Sequence, residues 1–216
     1  YSNYMNATIV GASGYSGREL VSLLVNHPEV TLSQVTSRAL AGQSVHSEIP
    51  NVRGKVKDLC FSNPSIRELT EQSECELFFL ALPHGTAASY AIPLLESGKK
   101  VIDLSADFRL TTSDRYEEFY GSPHPSPQWL AKAAYGLPEI HSLSWEKSPL
   151  IASPGCYPTS ILIPLFPLLQ SKLIQKQDII ANSMSGVSGA GRNATGDVYG
   201  KSGDLGGSRD VKHKHH

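Results

Sequence analysis

Cysteine is scarce in this chain, and so is any excess of one charge. Its 216 residues include three cysteines, Cys60, Cys75 and Cys156. An odd and sparse set does not form a disulfide framework and favours a reducing compartment. Lys and Arg total 19 and Asp and Glu total 20, which gives a net charge of −1. This balance gives no argument for nucleic acid or an anionic membrane as a partner.

Long hydrophobic runs are missing as well. The longest apolar stretch, Ile161 to Leu169, is too short to cross a bilayer and contains two prolines. Residues 1–6 lack the charged and apolar segments of a secretory signal. The sequence therefore predicts a soluble, cytoplasmic protein whose partners include neither nucleic acid nor membrane.

Short apolar runs alternate with helical patterns over most of the chain. The predicted strands are 7–10, 30–36, 76–82, 101–104 and 150–152, and the predicted helices are 17–26, 63–71 and 86–96. The helix at 63–71 is expected to begin with Asn63 as its cap and Pro64 at its first position. Strands that alternate with helices are typical of parallel sheets with helices on both faces. The predicted fold class is therefore α/β, a Rossmann-type doubly wound parallel sheet.

The composition changes after Thr111. Residues 111–147 are rich in Pro, Ser, His and aromatic residues and show poor periodicity, which we interpret as an excursion out of the first domain. A helix is predicted for 158–169 and a strand for 178–185, and the rest is glycine-rich and then basic. We predict a first domain at 1–155 and the start of an incomplete second α/β domain at 156–216.

A glycine-rich run, Gly11-Ala12-Ser13-Gly14-Tyr15-Ser16-Gly17, separates the first predicted strand from the first predicted helix. Glycine permits the tight turn, lets the backbone approach a diphosphate and lets the helix pack closely on the strand. The spacing is G-x-x-G-x-x-G rather than the usual G-x-G-x-x-G, so the argument rests on the position between strand and helix. The predicted cofactor contacts are Gly11, Ser13, Gly14, Tyr15, Ser16 and Gly17.

The end of the second strand indicates which dinucleotide binds. NAD-binding proteins place a carboxylate there to hold the ribose hydroxyl, whereas this chain has Thr36-Ser37-Arg38. The Ser37 hydroxyl and the Arg38 guanidinium suit a 2′-phosphate, which favours NADP(H) over NAD. The alternative is an exposed surface arginine.

The loop after the strand at 76–82 contains Pro83 and His84. Because ligands bind at the carboxyl ends of strands in such sheets, this loop is expected to border the nicotinamide ribose. His84 is either a cofactor contact or merely a polar loop residue.

Cys156 follows a short apolar strand and precedes a long apolar segment, within Ser153-Pro154-Gly155-Cys156-Tyr157-Pro158-Thr159. At a strand-to-helix turn the backbone N–H groups and the helix dipole favour a thiolate nucleophile. The alternative is a small buried residue, the usual place of a lone cysteine. The coexistence of a nucleotide turn and this thiol favours a covalent redox enzyme. No cluster of His, Cys and Asp has metal-ligand spacing, so no metal is expected.

These motifs together resemble a known family. IVGASGYSGREL, TSRALAG, ALPHG, VIDLSADFRL, AYGLPEI, SPGCYPT and SGVSGAGR stand in the order expected of N-acetyl-gamma-glutamyl-phosphate reductases, from about Ala7 to Arg192. Aspartate-semialdehyde dehydrogenase is similar in architecture and chemistry. The resemblance implies an NADPH-dependent reduction of an acyl phosphate to a semialdehyde in arginine biosynthesis, through a thioester on Cys156.

Arg109 matches the arginine with which that family binds the substrate phosphate, and the Ser105 hydroxyl is a further candidate contact. The alternative for Arg109 is an ion pair with Asp107 or Asp114.

The resemblance also implies that the glycine-rich turn at 186–192 presents N–H groups, at Ser188 and Gly189, to the cofactor or an anion. Composition alone would make it a flexible linker.

The chain ends in Lys212-His213-Lys214-His215-His216, which resembles the first part of the family's His-Arg-His-x-Pro-Glu motif. On that resemblance His215 is the acid–base residue and His213 a substrate contact. The alternative is a tag or a disordered tail.

The family continues well beyond this motif through a dimerising domain, so the chain is either a fragment or a truncated product. With a complete second domain we expect a homo-oligomer, dimer or tetramer. Two other functions stay open: an NADP-binding fragment without catalysis, and an aspartate-semialdehyde dehydrogenase-like acyl-phosphate reductase.

Overall fold

A computed structural model describes residues 4–56, 58–140 and 147–191 of the chain. Within these residues seven strands form one sheet in the order β3-β2-β1-β4-β5-β7-β6, and all neighbours are parallel. The strands are β1 Met5–Val10, β2 Val30–Thr36, β3 Phe61–Ser62, β4 Leu77–Leu80, β5 Lys100–Asp103, β6 Ala134–Tyr135 and β7 Leu150–Ala152.

Helices connect the strands. They are α1 Tyr15–Leu24, α2 Val45–Glu48, α3 Ile66–Thr70, α4 Ala87–Glu96, α5 Ser113–Tyr120, α6 Pro127–Lys132 and α7 Cys156–Gln170, with 3-10 turns at Pro50–Val52 and Val187–Ala190. Starting from β1, the chain adds β2 and β3 on one side and then returns to add β4 on the other side. The strand order therefore reverses between β1 and β4, and ligands of such sheets bind at that point, beyond the carboxyl ends of the strands.

The central strands are buried on both faces because their side chains alternate between two hydrophobic clusters. Val10 and Phe78 belong to the cluster that contains α4, whereas Ile9 and Phe79 belong to the one that contains residues of α1. The predicted doubly wound parallel sheet is thus confirmed.

The strands and helices predicted before residue 111 are all present, with boundaries shifted by a few residues. One local prediction is wrong, because Asn63 and Pro64 precede the helix rather than begin it. The cap of α3 is Ser65, whose hydroxyl accepts from the Glu68 amide while the Glu68 carboxylate accepts from the Ser65 amide. This reciprocal pair is a capping box, which satisfies two helix-end donors at once.

The described residues 111–140 return to the sheet of the first domain, which corrects the interpretation of 111–147 as an excursion out of it. Their strand β6 forms the edge of the same sheet, and β7 then enters between β5 and β6. Helix α5 escaped prediction because Tyr116 is its one buried residue, so no apolar stripe is visible. Polar signals define this helix instead: the Thr112 hydroxyl caps its start, and Gly121 ends it with φ of 74°.

The strand predicted for residues 178–185 is absent from the described part of the chain. Ile180 and Met184 are 87% and 92% exposed there. A strand needs a neighbour for its backbone hydrogen bonds, and none of the described strands pairs with this segment.

Helix α7 shows the same exposure, since none of its residues is buried despite its apolar sequence. No helix among the described residues combines the length and apolarity needed to cross a membrane.

Candidate active site

The loops at the carboxyl ends of five neighbouring strands line one cleft of about 1090 Å³. Along the sheet the order is β2, β1, β4, β5 and β7. The loops place on the cleft, in that order, Arg38, Gly11 with residues 13–16 of the glycine turn, His84, Arg109 and Cys156. Ser188 and Gly189, from beyond α7, lie on the same cleft. Most of the predicted site residues are therefore neighbours in space.

The turn after β1 requires glycine at two positions. Gly11 has φ of +86°, and a Cβ there would lie 2.5 Å from the Ala81 carbonyl oxygen. A Cβ on Gly17 would lie 2.6 Å from the Gly11 carbonyl oxygen and 2.7 Å from the Ala12 Cα. Gly17 does not line the cleft, so its part is the close packing of α1 on the turn.

The N-terminus of α1 opens onto the cleft. Its cap is Gly14, which has no side chain to accept from the helix N–H groups, and the first turn carries no acidic residue. Backbone donors and the positive end of a ten-residue helix are thus available to an anion. This cradle fits the diphosphate of a dinucleotide.

The end of β2 is joined to the glycine turn. The Ser37 hydroxyl donates to the Ser13 hydroxyl at 2.9 Å and accepts from the Leu40 amide at 3.2 Å. Arg38 is exposed on the cleft and forms no ion pair with any described carboxylate. Its guanidinium is therefore available for a phosphate at this end.

His84 is held from two sides. Its Nδ1 lies 2.8 Å from Oδ1 of Asp107, which is fully buried. The ring packs on Tyr120, with 4.1 Å between the ring centroids. His84 nevertheless lines the cleft with its neighbour Pro83, and 40% of its side chain is exposed.

The loop after β5 is built on two buried carboxylates. Asp103 accepts from the Ser105 amide at 2.9 Å and from the Ser105 hydroxyl at 2.8 Å. The Ser105 hydroxyl in turn accepts from the Asp107 amide. Burial raises the pKa of Asp103 to about 6, against the lowering effect of its Ser105 hydrogen bonds.

Ser105 itself is buried and does not line the cleft. Both the donor and the acceptor function of its hydroxyl are used within the loop, so the geometry favours a part in shaping the loop over a contact with substrate.

Arg109 is anchored by main-chain carbonyls. Its Nε donates to the Ser153 carbonyl at 2.7 Å and its Nη2 to the Leu104 carbonyl at 2.9 Å. It forms no ion pair with Asp107 or Asp114, both within the described residues, so that alternative is wrong. The positive charge of the Arg109 guanidinium can therefore attract an anion in the cleft.

Cys156 is the first residue of α7, and its cap Gly155 has no side chain to accept from the helix N–H groups. A Cβ on Gly155 would lie 3.2 Å from Arg109 Nη1, so the guanidinium reaches the backbone directly before the thiol. Cys156 is exposed on the cleft rather than buried in a core, which contradicts the alternative of a small buried residue. A helix N-terminus beside an arginine favours the binding of an anionic phosphate.

His213 and His215 lie outside the described residues. The sequence did not predict that Asp107 contacts His84, because Asp107 was considered only as a possible ion-pair partner of Arg109. The alternation Asp103-Leu104-Ser105-Ala106-Asp107 was an available signal, since Asp and Ser side chains bind backbone N–H groups two residues away.

Comparison with known proteins gives two matching family profiles. Residues 6–148 match "Semialdehyde dehydrogenase, NAD binding domain", and residues 156–204 match "Semialdehyde dehydrogenase, dimerisation domain". An N-acetyl-gamma-glutamyl-phosphate reductase from Akkermansia muciniphila is 48% identical over 192 residues, 88% of this chain and 55% of that protein. One from Desulfotalea psychrophila is 50% identical over 186 residues, 86% of this chain and 53% of that protein. The chain thus spans about half the length of these curated relatives.

Solved structures show the same fold. Aspartate semialdehyde dehydrogenase II from Vibrio cholerae, complexed with ASA, superposes with a TM-score of 0.63 at 20% identity, covering 94% of this chain and 53% of that one. Aspartate semialdehyde dehydrogenase with NADP from Candida albicans gives a TM-score of 0.53 at 18% identity, covering 77% of this chain and 47% of that one.

Proposed function

The chain belongs to the semialdehyde dehydrogenase family, and from that premise we propose that it carries the cofactor site and the nucleophile of an NADPH-dependent N-acetyl-gamma-glutamyl-phosphate reductase. The single observation that supports this most strongly is that Cys156 and the glycine turn of α1 open into one cleft. The product would be N-acetylglutamate semialdehyde, in arginine biosynthesis.

The proposed reaction begins at Cys156. Its thiolate attacks the acyl carbon of the substrate, the C–O bond to phosphate breaks, and inorganic phosphate leaves a thioester on the sulfur. The Arg109 guanidinium and the N–H groups at the start of α7 bind the phosphate as it departs. When bound, NADPH supplies the hydride that reduces the thioester carbon. Hydride addition leaves the thiohemiacetal as its oxyanion, and this oxyanion collapses with cleavage of the C–S bond to give aldehyde and thiolate.

Cofactor binding is assigned to the opposite part of the cleft. The N–H groups of α1 hold the diphosphate, Arg38 holds the 2′-phosphate, and Pro83 and His84 border the nicotinamide nucleoside. Ser37, through its bond to Ser13, fixes the turn on which the diphosphate rests.

The remaining assignments depend on the parts of the chain beyond these loops. We assign Ser188 and Gly189 as further cofactor contacts, because they line the same cleft. His215 as acid–base residue and His213 as substrate contact rest on the family resemblance.

We divide the chain into a nucleotide-binding domain, 1–155, and the start of a catalytic and dimerisation domain, 156–216. The exposed apolar surface of α7 and the matched dimerisation profile support a homo-oligomer. The described cysteines are all free thiols, which supports the cytoplasm as location.

The experiment that tests the proposal is the reverse reaction, in which the chain is mixed with N-acetylglutamate semialdehyde, phosphate and NADP and the formation of NADPH is followed by absorbance. We expect Cys156→Ser to reduce turnover roughly 10³-fold or more, because the nucleophile of a two-step mechanism is lost. Cys60→Ser is the matched control, since Cys60 is also exposed but does not line the cleft.

Retained turnover in Cys156→Ser would refute the nucleophile assignment. Tight NADPH binding by the wild-type chain without turnover or thiol reactivity would favour a cofactor-binding fragment. Faster reaction with aspartate semialdehyde than with N-acetylglutamate semialdehyde would identify the aspartyl compound as the substrate.

A further inference from the structure

The Asp107 carboxylate joins two loops that border the cleft. It is fully buried, accepts hydrogen bonds from the Gly85 amide at 2.7 Å and the Ala88 amide at 2.9 Å, and lies 2.8 Å from Nδ1 of His84. The two amides belong to the start of α4, whose own cap Thr86 makes no side-chain hydrogen bond. Asp107 therefore serves as the cap of α4 from a neighbouring strand's loop, and the helix dipole supports its charge.

This arrangement leaves one nitrogen of His84 uncommitted. Nδ1 faces the Asp107 carboxylate at 2.8 Å, and Tyr120 packs against the ring with 4.1 Å between the centroids. The ring edge with Nε2 is the polar part that remains for the cleft, which His84 lines. His84 follows β4, beside the point where the strand order reverses, so a dinucleotide on the turn of α1 extends toward it.

We propose that Asp107 is the positioning residue of the cofactor site: by fixing Nδ1 of His84 it directs Nε2 to hydrogen-bond with the nicotinamide nucleoside. This inference rests on the proposed function for the identity of the cofactor. Second-sphere carboxylates fix the orientation of histidine ligands in the same manner at metal sites. The contact between Asp107 and His84 is not needed to cap α4, because the Gly85 and Ala88 amides alone satisfy the two carboxylate oxygens.

A double-mutant cycle separates positioning from a merely structural cap. NADPH affinity of the full chain is measured by calorimetry for wild type, His84→Asn, Asp107→Asn and the double variant. In His84→Asn the side-chain amide still reaches Asp107, whereas the Nε2 position is lost. We expect about a tenfold loss of affinity in each single variant and no more than about a tenfold loss in the double variant. Independent roles would instead give a loss of about 100-fold, which overturns the proposal.

The adenosine half of the cofactor, 2′-phosphoadenosine diphosphate, supplies the second readout. Its affinity should be unchanged by His84→Asn, since it lacks the nicotinamide nucleoside. An equal loss for both ligands would overturn the proposal. Should Asp107→Asn fail to fold by circular dichroism, His84→Gln replaces it: it keeps an amide near the Nε2 position but not the bond from Nδ1. Its NADPH affinity must then fall with no change for the adenosine half.

His27→Asn is the matched control, because His27 follows the C-terminus of α1, is exposed and does not line the cleft. It should leave both affinities unchanged. These are binding measurements and need no turnover. An absence of turnover in the wild type therefore contradicts the proposed activity alone, whereas an unaltered NADPH affinity in His84→Asn contradicts this inference alone.

Discussion

The close approach of α1 to the glycine turn leaves no room for a side chain at Gly17. In Gly17→Ala the new Cβ would lie 2.6 Å from the Gly11 carbonyl oxygen, about 0.8 Å inside the ordinary contact distance of 3.4 Å. The second obstacle, the Ala12 Cα at 2.7 Å, is also backbone. Because no side chain can rotate away, either α1 or the turn has to move.

The sign of the effect follows from two opposing contributions. Alanine is more favourable than glycine within a helix by about 1 kcal/mol. Overpacking in a well-packed site costs roughly 1–3 kcal/mol, and a backbone clash lies at the upper end. We therefore expect Gly17→Ala to lower the free energy of unfolding by about 2 kcal/mol, with a fall in melting temperature of roughly 4–8 °C. Displacement of the turn should also weaken NADPH binding.

Urea denaturation without ligand measures the first effect and NADPH titration the second. Glu19→Ala is the matched control, since it introduces the same side chain on the exposed face of the same helix and should change stability by less than about 0.5 kcal/mol. If Gly17→Ala proved as stable as the wild type, the close contact would not determine the choice of glycine.

Three further predictions concern separate parts of the site and core. Arg38→Ala should weaken NADPH about 10- to 100-fold and leave NADH unchanged by calorimetry, since a charge-assisted contact to the 2′-phosphate is lost; equal losses would contradict the NADP assignment. Asp103, with its pKa raised to about 6, binds a proton in the folded chain more tightly than in the unfolded chain, so its contribution to stability is lost as pH rises through that value. Wild type should therefore lose about 1.5 kcal/mol more than Asp103→Asn between pH 5 and pH 8 in urea denaturation, and parallel pH profiles would refute this. Phe78→Ala should cost about 3–5 kcal/mol because the side chain is fully buried in the core cluster, whereas Phe78→Leu should cost far less; similar values for both would argue against a cavity effect.

The sequence was most informative where one local pattern suffices. Ile9 and Val10 precede glycines at fixed spacing, and a buried strand followed by such a turn has few structural solutions. Ser65 and Glu68 also form a local pattern, the capping box of α3. The prediction nevertheless placed that cap two residues too early, at Asn63.

Prediction failed where the outcome depends on neighbours far along the chain. Residues 178–185 have the composition of a strand, yet no described strand lies beside them, and an unpaired strand is not stable. Conversely, β6 has two residues and no visible pattern, and it is a strand because the edge of β7 lies next to it.

The sequence by itself determined the nucleotide turn, the order of strands and helices before residue 111, and the thiol at the start of α7. Each depends on backbone preferences and periodicity within a short window. Only the tertiary structure decided that Asp107 pairs with His84 rather than with Arg109, and that Ser105 faces inward. The physical reason is that a buried carboxylate binds the donors that the packing of neighbouring strands brings within reach, and here these are the N–H groups at the start of α4.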